Sequence, residues 1–173
     1  MKKIKKIEDT ESKQAIVIPT RFGSFYLEAT QRGLYQLRFP GRVMLSLLRP
    51  FGPPRNDSIR YLRQAKKLLQ NYLHGKSVSF HALKFDLSDY TPFECNVLMA
   101  LSKVRRGELK SYAELARTAG RPRAGRAVGA VMRKNRLPII LPCHRIVHSN
   151  GKLGGYSQGL VWKKRFMKWE GLL

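Results

Sequence analysis

Short apolar runs, rich in β-branched and aromatic residues, open the chain. Ala15-Ile16-Val17-Ile18, Phe25-Tyr26-Leu27-Glu28-Ala29 and Leu34-Tyr35-Gln36-Leu37-Arg38-Phe39 are separated by Thr20-Arg21-Phe22-Gly23-Ser24 and by Gly33. They predict three strands of a meander. Four prolines and two glycines between residues 40 and 54 predict an irregular connection. The period then becomes helical. Leu62, Ala65, Leu69, Tyr72 and Leu73 share one face, with Asp57 as N-cap, His74 as the last residue and Gly75 as terminator. Residues 79–83 predict a returning strand and 86–90 a linker, while residues 1–12 are charged and loosely held.

Two capping boxes organise the second half. Thr91-Pro92-Phe93-Glu94 opens a helix with Phe93, Val97, Ala100, Leu101 and Val104 on one face and Arg106-Gly107 at its end. Cys95 lies near this face as a buried structural thiol. Ser111-Tyr112-Ala113-Glu114 opens a second helix that ends near Gly120. Arg121-Pro122 makes a turn, and a third helix runs from Arg123 or Ala124 to Arg133 or Lys134. Two short helices joined this tightly read as a helix-turn-helix. Leu137-Pro138-Ile139-Ile140-Leu141 reads as a short buried strand. The fold class is mixed α/β of the α+β kind. A small sheet-and-helix domain spans residues 1–86, and a mainly helical domain with the helix-turn-helix spans 87–173.

Charge narrows the partners. The formal net charge is +23, from 34 Lys/Arg against 11 Asp/Glu in 173 residues. Seventeen basic residues lie on each side of Thr91, so the excess is not a tail. A globule this basic suits a polyanion, although charge alone also fits RNA or an anionic membrane. No apolar run reaches transmembrane length, and acids follow the basic start where a signal peptide would be apolar. These features predict a cytoplasmic protein, nuclear in a eukaryote. Two cysteines, Cys95 and Cys143, are too few for a cysteine zinc site, and the four histidines show no ligand spacing; no metal is expected.

The candidate chemistry sits in Pro142-Cys143-His144-Arg145-Ile146-Val147. A thiol is a nucleophile once ionised, and neighbouring cations lower its pKa from about 8.5. The stretch Asn135-Arg136-Leu137-Pro138-Ile139-Ile140-Leu141-Pro142-Cys143-His144-Arg145-Ile146-Val147 resembles the active-site signature of the O6-alkylguanine-DNA alkyltransferases, the methylated-DNA–protein-cysteine methyltransferases. The resemblance is strong from about Thr91 to Gly171 and weaker before it. It implies a ribonuclease H-like N-terminal domain, a monomer, no cofactor, and duplex DNA containing O6-alkylguanine as partner. The reaction implied is irreversible transfer of the alkyl group, from O6 of guanine and also O4 of thymine, to the protein's own cysteine after nucleotide flipping.

The same resemblance assigns roles. Cys143 is the nucleophile, His144 its water-mediated base, and Glu170 the carboxylate that orients His144 and favours its cationic form. Asn135 ties the recognition helix to the cysteine strand, and Tyr112 donates to the guanine ring. Arg126 wedges into the base stack, while Ala127, Gly129, Ala130 and Arg133 face DNA. Met132, Tyr156 and Ser157 line the guanine pocket, and the carbonyls of Cys143 and Ile146 read the exocyclic amine. Arg145 is structural. Many relatives have glycine where Gln158 stands, which implies a pocket less tolerant of bulky groups. Two other readings remain: a non-catalytic lesion-binding relative, against which Cys143 argues, and a helix-turn-helix regulator, which needs no Pro-Cys-His-Arg.

Overall fold

A computed structural model describes residues 13–41 and 56–173. The charged start and most of the Pro/Gly-rich connection lie outside the described residues. Strands β1 (Gln14–Thr20), β2 (Gly23–Ala29) and β3 (Leu34–Arg38) form an antiparallel sheet in sequence order. The register sets Val17 against Tyr26 and Leu27 against Leu37. Pleat alternation turns Ile18, Phe25, Leu27 and Leu37 inward.

Helix α1 (Asn56–Leu73) lays Leu62, Ala65, Leu69, Tyr72 and Leu73 against this sheet. Asp57 falls inside the first turn rather than at the cap, where it pairs with Arg60. Gly75, at φ +86°, closes the helix as expected. Residues 79–83 form no strand. The sheet is extended instead by a single parallel bridge from Phe85 to Leu34, with Leu34 N–H donating to the Lys84 carbonyl and Asp86 N–H to the Leu34 carbonyl. Gly33 permits this approach, since a Cβ there would lie 2.7 Å from the Lys84 and Phe85 backbone.

The second half is mainly helical. Helix α2 (Pro92–Ser102) and helix α3 (Tyr112–Thr118) both begin with complete capping boxes, on Thr91/Glu94 and Ser111/Glu114. Helix α2 ends at Ser102, four residues before the expected Arg106. Cys95 is half-buried, with its thiol 3.7 Å from the Leu87 and Tyr90 carbonyls. Strand β4 (Lys110–Ser111) leads directly into α3, and α4 (Gly125–Lys134) packs against both α2 and α3. Strand β5 (Ile146–Val147) pairs in parallel with β4. Helix α5 (Leu160–Trp169) returns to the sheet through edge-on contacts of Trp162 with Phe25 and Phe39 and of Phe166 with Phe39, at 5.0–6.1 Å.

The segment expected as a linker is firmly held. Asp86 is buried and accepts from the Thr30 and Ser88 hydroxyls. Arg136 closes the junction. Its guanidinium lies 4.0 Å from the Tyr35 ring and 4.8 Å from the Tyr90 ring, pairs with Asp89 and donates to the Asp86 carbonyl. Its own carbonyl accepts from Leu37 N–H of β3 at 2.8 Å. Arg136→Ala removes the side-chain contacts in one change and is expected to destabilise the chain by roughly 1–3 kcal/mol, given the worth of hydrogen bonds to charged groups. Equilibrium urea denaturation checks this through a lower midpoint at unchanged slope.

Candidate active site

The site begins where α4 stops. Asn135 follows α4, and its side chain replaces the helix's missing continuation. Its Oδ1 accepts from Leu137 N–H at 3.0 Å, and its Nδ2 donates to the Leu141 carbonyl at 2.8 Å and to Cys143 Sγ at 3.2 Å. Residues 137–141 are therefore not the strand their apolar run predicts. They form a buried turn closed by Leu141 N–H to the Leu137 carbonyl at 2.7 Å. Pro138 and Pro142 have no N–H to give a ladder, and the Asn135 side chain takes the bonds a neighbouring strand would have made. Ile139 is the one non-glycine with positive φ among the described residues, at +76°. A β-branched residue held there is strained, and the packing around it imposes that conformation.

A 3₁₀ turn over Cys143–Arg145 presents the thiol on one side and buries His144 and Arg145 on the other. Beneath it Glu170, the residue after α5, uses both carboxylate oxygens. Oε1 accepts from Tyr72 Oη at 2.7 Å, His144 Nε2 at 2.9 Å and an Arg145 terminal nitrogen at 2.8 Å; Oε2 accepts from Arg145 Nε at 2.9 Å. Arg145 also donates to the Val104 carbonyl. Burial by itself would raise the Glu170 pKa, but His144 and Arg145 hold it well below the usual carboxylate range. An ionised carboxylate only accepts, so His144 Nε2 carries the hydrogen and Nδ1 keeps its lone pair. That Nδ1 is buried with no protein partner.

Electrostatics here run opposite to the sequence expectation. Burial pushes the Cys143 thiol up to about 11, and the Asn135 donor and Lys163 charge only partly offset it. Burial likewise lowers the His144 pKa despite Glu170. Desolvation disfavours either charge, so the resting pair is a neutral thiol and a neutral imidazole. The neighbours that sequence reasoning credited with acidifying the thiol act too weakly: Arg145 is tied to Glu170, and His144 is uncharged.

Cys143, 3% exposed, forms the inner wall of a cavity of about 310 Å³. Tyr112, Gly125, Arg126, Gly129, Met132, Arg133, His148, Gly155, Tyr156 and Ser157 complete the lining. The β4–β5 rungs, Lys110 to Ile146 and Ser111 to Val147, bring Tyr112 to the mouth. Burial raises the Tyr112 pKa, with the thiol adding to it, so the phenol stays protonated as a donor. Gly154, at φ +66°, leaves this phenol its place, since a Cβ there would lie 2.6 Å from Tyr112 Oη. Helix α4 buries Val128, Val131 and Met132 and turns Arg126, Ala127, Ala130 and Arg133 outward, with Gly129 over Tyr112.

Of the expected site residues, Asn135, His144 and Glu170 stand behind the thiol rather than in the cavity. Two expected pocket residues are not in its lining. Ile146 is fully buried, and its carbonyl accepts from Lys163 Nζ at 2.6 Å. Gln158 is half-buried, its amide 3.5 Å from Ser157 Oγ. Gly155 lines the cavity, as its place in the glycine-rich closing loop implies, whereas the sequence assigns no site role to Tyr72, Lys163 or His148. Lys163 left a signal, a lysine three, four and seven residues before Phe166, Met167 and Glu170 on a buried stripe. Tyr72 left none, because it reads as an ordinary core position of α1. Among the described residues no group of three His, Cys, Asp or Glu could hold a metal ion, and no helix is long and apolar enough to cross a membrane.

Glu170→Gln leaves Arg145 buried without its counter-charge and is expected to destabilise the chain by roughly 3–5 kcal/mol. The folded carboxyl has a depressed pKa, so its contribution is complete above the unfolded value of about 4.3 and fades as pH falls below it. Urea denaturation from pH 7 to pH 3 should show the gap between wild type and Glu170→Gln narrowing with acid.

Comparison with known proteins agrees with this arrangement. Residues 92–172 match the family model for the 6-O-methylguanine DNA methyltransferase DNA-binding domain. The methylated-DNA–protein-cysteine methyltransferase of Methanosarcina barkeri is 35% identical over 155 residues, covering 89% of this chain and 94% of that one. The human protein of the same name is 32% identical over 181 residues, covering 95% and 83%. The crystal structure of Mycobacterium tuberculosis OGT in complex with DNA superposes with a TM-score of 0.73 at 30% identity, covering 91% of this chain and 93% of that one. On fold, site and sequence together, the chain belongs to the methylated-DNA–protein-cysteine methyltransferase family.

Proposed function

We propose that this protein repairs DNA by moving an alkyl group from O6 of guanine to Cys143, once per molecule. The observation that carries the reading is a buried thiol at the end of a base-sized cavity, backed by a histidine whose Nε2 is held by a carboxylate and whose Nδ1 is free. An O6-alkyl group lies inside the duplex stack, so the nucleotide is turned out into the cavity. Arg126 and Arg133, on the outward face of α4 and at the cavity rim, hold the opened duplex.

The Cys143 proton passes to His144 Nδ1 through a water, and Glu170 stabilises the imidazolium formed. The thiolate attacks the alkyl carbon, an S–C bond forms, and the C–O6 bond breaks with its electrons going to guanine. Tyr112 donates its phenol proton to the leaving base and regains one as His144 releases the Cys143 proton, so the imidazole and phenol end as they began. The product is a thioether and guanine. The step is redox-neutral and the thiol supplies the electron pair, so it calls for no cofactor. Reversal would require guanine O6, a weak nucleophile, to expel a thiolate from an unactivated thioether, which makes the transfer irreversible.

Finer readings follow the family resemblance. O4-alkylthymine is a second substrate, the protein acts as a monomer on duplex DNA, the N-terminal half is ribonuclease H-like, and the boundary between the two domains falls at 86/87.

Mass spectrometry after incubation with O6-methylguanine duplex tests the transfer. One methyl on Cys143 is expected, none on Cys143→Ser, and undiminished transfer in Cys95→Ser. Lesion binding with no mass change would replace transfer by lesion reading, and operator-like sequence preference would replace it by regulation. Arg126→Ala is expected to slow duplex repair by about tenfold or more, because unstacking a base costs a few kcal/mol. Reaction with free O6-alkylguanine base should change little. Equal losses on both substrates would move Arg126 from wedge to pocket.

A further inference from the structure

Lys163 is buried to 0% exposure on the inner face of α5. No acid among the described residues forms an ion pair with it. Its Nζ donates to two carbonyls, that of Ile146 at 2.6 Å and that of Leu153. Ile146 directly follows the Cys143–Arg145 turn, and Leu153 directly precedes the Gly154–Ser157 wall of the cavity. One ammonium thus joins the strand leaving the nucleophile to the loop that closes over the substrate. Carbonyl dipoles satisfy its hydrogens but do not neutralise its charge.

A buried cation without a counter-anion is costly. The mechanism creates one anion nearby, the Cys143 thiolate. The two groups interact in both directions: the Lys163 charge stabilises the ionised thiol, and the ionised thiol stabilises the ammonium. Burial holds the Lys163 pKa down at about 8, so the charge is poised rather than secure. Other ionisable groups around the turn include His144, Arg145, Glu170, Tyr72, Tyr112 and Tyr156. Glu170 is committed to Tyr72, His144 and Arg145, and burial keeps all three tyrosines protonated.

We propose that Lys163 is a positioning residue for the transfer: its buried ammonium clips the substrate loop to the nucleophile turn and supplies the positive charge against which the Cys143 thiolate forms. This rests on the transfer reading above, and it gives a task to a charge the Cys143–His144–Glu170 relay does not use.

The test compares Lys163→Met, which removes donors and charge, Lys163→Gln, which keeps donors, and Lys163→Arg, which keeps both. All are made in a Cys95→Ser background, so one thiol remains. Iodoacetamide labelling of Cys143, followed by mass spectrometry from pH 7 to pH 10, reads the thiolate directly. Lys163→Met and Lys163→Gln should slow labelling about tenfold at pH 7, the equivalent of one pH unit, and the difference should fade above pH 8 as wild-type Lys163 loses its proton. Lys163→Arg should track wild type. Reaction with free O6-methylguanine should fall furthest in Lys163→Met, where the clip is also lost.

A wild-type profile in folded Lys163→Gln, or an equal shift in Lys163→Arg, overturns the charge role. Thermal melts establish folding. A further measurement needs no variant: the logarithm of the wild-type Cys143 labelling rate should rise with unit slope below pH 8 and flatten above it, as Lys163 loses its proton and the thiolate loses its counter-charge. An unbroken unit slope up to pH 10 overturns the proposal. Failure of the transfer reading itself looks different, since lesion duplex would then leave wild-type Cys143 unmethylated whatever the labelling profiles show.

Discussion

The structure turns on a single buried carboxylate. Glu170 gathers hydrogen bonds from α1 through Tyr72 and from the nucleophile turn through His144 and Arg145, while standing at the end of α5. A carboxylate in so dry a place is tolerable only because its lone pairs are met by hydrogens and its charge by a guanidinium. The arrangement acts cooperatively. Arg145 neutralises the acid, the acid fixes the His144 tautomer, and the tautomer leaves Nδ1 able to take a proton. Tyr72 makes the N-terminal half a participant, so the sheet-and-helix unit supports the chemistry 98 residues away in sequence.

The resting thiol is part of the same economy. With its pKa near 11, ionising Cys143 at neutral pH takes roughly 5–6 kcal/mol. A free thiolate would react with any passing electrophile, and an irreversible acceptor is lost by each such event. A neutral, buried thiol with a base behind it keeps the reactivity latent. On the proposed transfer, the substrate would supply what is missing: it would present the alkyl carbon and a leaving base whose developing charge the Tyr112 phenol is placed to meet.

What could be read from the chain was whatever depends on local pattern. Both capping boxes, the α1 stripe and the three strands are legible because each rests on residues within a few positions of one another. The 137–141 turn was not, since periodicity sees only that the run is apolar. Nothing in five apolar residues says that an asparagine two positions earlier will take the backbone bonds and force Ile139 to positive φ. Likewise Cys-His-Arg reads as a thiol among cations, whereas burial reverses the sign of both the thiol and imidazole shifts. Burial is a tertiary quantity, and Tyr72 escaped for the same reason, while Lys163 showed only as a lysine on the apolar stripe of α5.

The distribution of acids explains how a fold this basic still presents an open cationic face. All eight acids among the described residues have internal tasks. Glu94 and Glu114 close capping boxes, Glu108 accepts from Arg105 N–H and pairs with Lys110, and Glu170 holds the site. Glu28 pairs with Arg38, Asp57 with Arg60 and Asp89 with Arg136, while Asp86 anchors Thr30 and Ser88. On the outward side of α4, Arg126 and Arg133 form no ion pair with any of these acids, and Arg121 and Arg123 just before it are likewise exposed. Arg126 and Arg133 therefore leave uncompensated positive charge at the cavity rim, which suits a phosphate backbone. The same economy that stabilises the interior with few acids leaves the exterior charged for its substrate.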